Sequence, residues 1–150
     1  MILQDTQMLD ADGNPTAVYN YVKSANANIN YISELFVGYD YVGTKAVLGT
    51  GHASNACFNK LSNNLASVTG ISTITASQDT LVGEFVKDSK AGYMVTNFSE
   101  PSAALTDTVT LTFASSVTVD IYQNGTTTEW TGTSLELTLA AGEGAFVTVK

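Results

Sequence analysis

The sequence predicts a mainly β protein: an antiparallel β-sandwich of about seven to eight strands, preceded by a long amphipathic N-terminal helix. Three observations carry that expectation. From Ile71 onward the apolar residues recur with period two, in runs such as ISTIT, LVGEFVK, TVTLTFA and SLELTLA. Those runs are separated by turn chemistry. Ahead of them, Val18, Val22, Ala25, Ile29, Ile32 and Phe36 fall at alternating spacings of four and three, one stripe of a helix.

Asn14-Pro15 suits the start of that helix, because Asn caps well and Pro at the first helical position loses no needed N–H. Gly38 suits its stop. Tyr19, Tyr21 and Tyr31 flank the stripe and widen a face that must be buried against something. Residues 1–43 therefore read as a lead-in helix. Residues 44–70 read as a linker, with one short strand around Lys45–Leu48 and a short helix at Ala56–Ser67, where Phe58, Leu61, Leu65 and Val68 recur at helical spacing.

Residues 71–150 read as the sandwich. The runs ISTIT, LVGEFVK, AGYMVTNFS, TVTLTFA, VTVDIYQ, TTEWTG, SLELTLA and AFVTVK are its strands. Their separators include Asp88-Ser89-Lys90, Ala114-Ser115-Ser116, Asn124-Gly125 and Gly132. Asn-Gly is the strongest hairpin signal, since both residues take positive φ. Val109, Leu111 and Phe113 share one face, as do Leu135, Leu137 and Leu139, with Thr, Ser and Glu between them. That pattern predicts an antiparallel sheet with one wet face. AGYMVTNF is apolar on both faces and fits a central strand.

Composition narrows the function. The chain has 150 residues, 44% of them hydrophobic, enough for a core. The net charge is −8, with six lysines and no arginine. Nucleic acid and anionic membranes are thereby disfavoured as partners, whereas neutral sugars are compatible. No apolar run is long enough to span a bilayer. MILQDTQML has no basic start and no apolar core, so it does not read as a signal peptide; localisation is not legible. The single cysteine, Cys57, excludes an internal disulfide and reads as a buried apolar residue.

No catalytic set, metal set or cofactor motif stands out. His52 is the only histidine, in the turn-like GTGHASN, and a lone histidine makes a poor metal site. Three carboxylate pairs merit attention because glycoside hydrolysis uses two carboxyl groups: Asp79 with Glu84, Asp120 with Glu129, and Glu136 with Glu143. Outward strand positions and turn caps are the ordinary explanation for each. Trp130, Tyr39 and Tyr41 are candidates for stacking on sugar rings; for Trp130 the alternative is packing beneath its hairpin. Asn97-Phe98-Ser99 and Asn124-Gly125-Thr126 match the N-glycosylation pattern.

The stretches GNPTAVYNYVKSANANI, LVGEFVKDSKAGYMVTNFSEPS and LTLAAGEGAFVTVK, in that order, resemble the C-terminal region of bacterial β-galactosidase-like glycoside hydrolases. The resemblance covers roughly Leu9 to Lys150. It implies a late helix of a (β/α)8 barrel followed by a terminal β-sandwich. It also implies that the catalytic glutamates lie on barrel strands upstream of this segment, so no catalytic residue carries over. The expected function is then a non-catalytic accessory domain that stabilises or assembles the barrel, with the helix stripe packing on that barrel or pairing between copies. A carbohydrate-binding module and a surface adhesion or structural module are the alternatives.

Overall fold

The structure is a computed structural model, and it describes residues 7–50, 52, 64–99 and 104–150. The chain forms two compact units, Met1–Val37 and Gly38–Lys150.

In the first unit, residues 8–16 make a tight loop ahead of the helix. The Asp10 carboxylate accepts the N–H groups of Asp12 and Asn14, at 2.9 and 2.8 Å, and Gly13 takes positive φ. Those hydrogen bonds hold the Asp10 carboxyl below its usual pKa, Asn14 contributing most. Leu9 bridges Pro15. Asn14 and Pro15 thus belong to the loop rather than to the helix start. Thr16 is the cap instead: its Oγ1 accepts the Tyr19 N–H at 3.4 Å. Helix α1 runs from Ala17 to Phe36. Its stripe is not buried as one continuous face. Val18, Ile32 and Phe36 are half-buried, but Val22 is 37% and Ile29 61% exposed. The side chains of Ala25 and Tyr21 lie outside the described set.

The second unit is a seven-stranded antiparallel sheet: β1 (Asp40–Val47), β2 (Ile71–Ala76), β3 (Thr80–Lys87), β4 (Lys90–Asn97), β5 (Asp107–Gln123), β6 (Thr126–Leu139) and β7 (Gly144–Val149). The order is β1-β3-β4-β7-β5-β2, with β6 on β5. Two separately bonded sheets were expected; the strands are instead joined into one curled sheet. The cause is the length of β5 and β6. The first half of β5 pairs β2 and the second half pairs β7, while β6 follows β5 throughout. Ala114-Ser115-Ser116, expected as a turn, lies inside β5 where the β5–β6 register shifts between Thr112 and Val117. Bulges of this kind let one strand bend from one layer into the next. Gly132, expected as a separator, likewise lies inside β6.

Both tight hairpin turns are as the residues suggest. Asn124-Gly125 joins β5 to β6 with φ of 50° and 71°, and Asp88-Ser89 joins β3 to β4 with φ of 50° and 63°. β1 is longer than expected and begins inside the region read as lead-in helix. The predicted helix at Ala56–Ser67 falls mostly outside the described residues. Its last part is not helical: Asn64 bridges Thr44, and the Leu65 N–H reaches the Thr44 carbonyl at 2.8 Å. Leu65 fits there because residue 43 is glycine, where a Cβ would stand 2.7 Å from Leu65 Cδ2.

The core lies inside the curl. Val82, Tyr93, Val95, Val119, Ile121 and Val147 meet Val109, Leu111, Phe113, Leu135, Leu137 and Leu139 there, all nearly or fully buried. The β4 strand is central, as its two apolar faces suggest. Its outward neighbourhood is not wet. Phe146, opposite Met94 on β4 and Tyr122 on β5, is wholly buried. Tyr39, Phe85 and Tyr122 surround it, with ring centroids 5.3, 6.1 and 6.4 Å away.

Candidate functional site

One end of the curled sheet concentrates the buried polar side chains. Asp79, Thr80, Asn97 and Asp107 meet there because β3 and β5 begin, and β4 ends, at that end. Asp107 Oδ1 accepts the N–H groups of Ser77 and Gln78, at 2.9 and 2.8 Å, and the Ser77 hydroxyl at 2.9 Å; its Oδ2 accepts the Thr80 hydroxyl. Asn97 donates to the carbonyls of Leu105 and Leu139, at 2.9 and 3.2 Å, and accepts from both the N–H and the hydroxyl of Ser99. Among the described residues no buried side-chain nitrogen or oxygen lacks a partner. The arrangement fixes turns to strand ends.

His52 lies at this end too. Its Nδ1 is 2.9 Å from Asp79 Oδ1, which also accepts the Gly49 N–H at 3.0 Å. The carboxylate is buried and the imidazole is 56% exposed. A buried carboxylate that orients an exposed histidine is half of a triad. Residues 53–63, including Cys57, lie outside the described residues.

The other carboxylates are likewise committed. Glu84, inward on β3, accepts the Thr69 N–H at 3.1 Å, while Tyr93 opposite it donates to the Thr69 carbonyl at 2.7 Å. Together they hold both backbone polar groups of one residue, Thr69, in the turn before β2. Burial, with Glu84 adding to it, pushes the Tyr93 hydroxyl up to about 12 from 10.0. The fold therefore favours protonated Tyr93. Its contribution to stability is complete below about pH 10 and falls as pH rises toward 12, a change on the order of 2–3 kcal/mol. Tyr93→Phe is expected to cost about 1 kcal/mol at neutral pH and to remove that part of the alkaline decline; urea titrations at several alkaline pH values check both.

Of the three predicted carboxylate pairs, only Asp120 and Glu129 are brought face to face, as cross-strand partners on β5 and β6. Lys150 lies against both, 2.9 Å from Asp120 and hydrogen-bonded to Glu129, which holds the lysine well above its usual pKa, Glu129 foremost. A lysine between like charges is a structural solution to their repulsion. Glu143 spans two turns instead, accepting from Gln123, Asn124 and the Ala140 N–H. Glu136 is exposed on β6 opposite Thr110.

The stacking candidates do not form one site. Trp130 points into the curl, half-buried, 6.2 Å from Phe113 and packed over Gly132. Tyr39 and Tyr41 lie on the opposite, outer face. Tyr39 is half-buried, edge-on to Phe146, with the Lys87 ammonium 5.6 Å from its ring centre. Tyr41 is 53% exposed, over Phe85 at 5.5 Å, and its hydroxyl is 2.8 Å from that of Thr44. A groove of about 440 Å³ runs between β1 and β2, lined by Lys45, Val47, Leu48, Val68, Ile71 and Ile74, and holds none of the three aromatics.

No group of three or more metal-binding side chains occurs among the described residues, and no helix there is long and apolar enough to cross a membrane. Comparison with known protein families, with curated proteins and with solved structures finds no match.

Proposed function

We propose that this chain is a non-catalytic accessory domain of a glycoside-cleaving enzyme, a terminal β-sandwich that stabilises or assembles a (β/α)8 barrel. The observation that carries this reading is the use made of the carboxylates. Asp79, Glu84 and Asp107 are buried and accept hydrogen bonds from the fold, and Asp120 and Glu129 are bridged by lysine. A glycosidase needs a carboxylic acid and a carboxylate free to meet substrate. The open part of the α1 stripe, at Val22 and Ile29, supplies apolar surface for the barrel.

The test is to delete the terminal β-domain from a β-galactosidase-like enzyme and fuse this chain in its place. The fused barrel is expected to recover solubility and thermal stability, and Ile29→Asp is expected to lose part of that gain. A fusion no more stable than the truncated barrel contradicts the proposal.

Tyr41 favours a second reading, as a carbohydrate-binding module. It is an exposed ring braced from behind by Phe85. Affinity electrophoresis through gels carrying galactan, xylan, mannan or β-glucan separates the two. Retardation lost in Tyr41→Ala supports sugar binding, and uniform mobility removes it.

A further inference from the structure

Residue 124 is the only asparagine followed by glycine in the chain, and the pair sits exposed at the tip of the β5–β6 hairpin. A Cβ placed on Gly125 would meet nothing within 4 Å, so no neighbour crowds Gly125 on that side. The Asn124 side chain is nevertheless in use. Its Nδ2 donates to Glu143 Oε1 at 2.5 Å, and the same oxygen accepts Gln123 Nε2 at 2.9 Å. Glu143 Oε2 accepts the Ala140 N–H at 2.6 Å. One carboxylate thus latches the hairpin tip to the turn between β6 and β7, and both bonds from the tip to Glu143 come from amide donors.

We propose that Asn124 is a site of spontaneous deamidation, and that its conversion releases the Glu143 latch. The Gly125 nitrogen attacks Asn124 Cγ. A Cγ–N bond forms, the Cγ–Nδ2 bond breaks, and the nitrogen's proton leaves with the amide as ammonia. Water then opens the resulting five-membered imide at either carbonyl, giving aspartate or isoaspartate. Glycine presents no side chain to obstruct the attack. The product replaces a donor facing Glu143 with a carboxylate, so an attraction becomes a repulsion between like charges. The isoaspartate product also inserts an extra backbone atom into a turn whose two residues must both hold positive φ. The second asparagine in a glycosylation-like pattern, Asn97, lies at the other extreme. It is 1% exposed, its amide and carbonyl are both bonded within the fold, and phenylalanine follows it.

The experiment ages the purified chain in mildly alkaline buffer at physiological temperature and maps peptides by mass spectrometry. Conversion is expected first at residue 124, with part of the product accepted by a protein isoaspartyl methyltransferase used as the probe. Asn124 persisting while other asparagines convert overturns the site. The consequence is read separately, from the Tm of Asn124→Asp against Asn124→Gly, which keeps the turn and removes the amide without adding charge. A lower Tm for the aspartate variant is expected; an equal or higher one overturns the latch.

Discussion

Asp107→Ala is expected to destabilise the sheet unit by about 3–5 kcal/mol, a fall in Tm of roughly 10–20 °C. Asp107 is wholly buried and is the common acceptor for two N–H groups and two hydroxyls of residues 77–80. Removing it takes the acceptor from the Gln78 N–H and the Ser77 hydroxyl, leaves the Ser77 N–H and the Thr80 hydroxyl only their second acceptors, the Thr108 and Gln78 carbonyls, and loosens the turn between β2 and β3. Asp107→Asn keeps the volume and, through its Oδ1, the three bonds from Ser77 and Gln78, while its Nδ2 meets the Thr80 hydroxyl, which can accept it and donate to the Gln78 carbonyl. It is expected to recover most of the loss, which separates the hydrogen bonds from the charge. Chemical denaturation of both variants checks the result.

Phe146→Ala should cost about as much, roughly 3–5 kcal/mol. Its ring is fully buried on the outward face of β7 and anchors Tyr39, Phe85 and Tyr122. The β4 strand is shaped around it: a Cβ on Gly92 would stand 2.9 Å from Phe146 Cζ and 2.9 Å from Tyr39 Cε1. Phe146→Leu retains most of the volume and is expected to lose about 1–2 kcal/mol. Urea titration followed by Trp130 fluorescence reads both, because Trp130 packs on the opposite face.

The strand periodicity made most of the sheet legible. Val109, Leu111 and Phe113 do share the inward face, and both positive-φ hairpin turns were visible in their residues. What periodicity could not show is where a strand continues through a turn-like tripeptide. Ala114-Ser115-Ser116 has the composition of a turn, but β6 pairs the strand on both sides of it, so tertiary pairing overrides local preference. The polar end was readable in principle. Asp107 is in phase with Val109 and Leu111, Asn97 with Val95, and Glu84 with Val82. A polar residue at an inward position signals a buried hydrogen-bonded anchor. The wet-face reading rested on the runs of β5 and β6 and did not reach β7, where Phe146 is buried on the outward side. Tyr41, on β1, and Tyr39, just before it, face one side of the sheet, and Trp130, on β6, faces the other.

On the function proposed above, the carboxylates of this chain hold its fold and do not turn over substrate. A panel of aryl glycosides, incubated with the purified chain and followed for released phenol, addresses it most directly. Release at the rate of buffer alone is expected. Release above buffer that disappears in Asp120→Asn or Glu129→Gln, with the fold intact by circular dichroism, would contradict it.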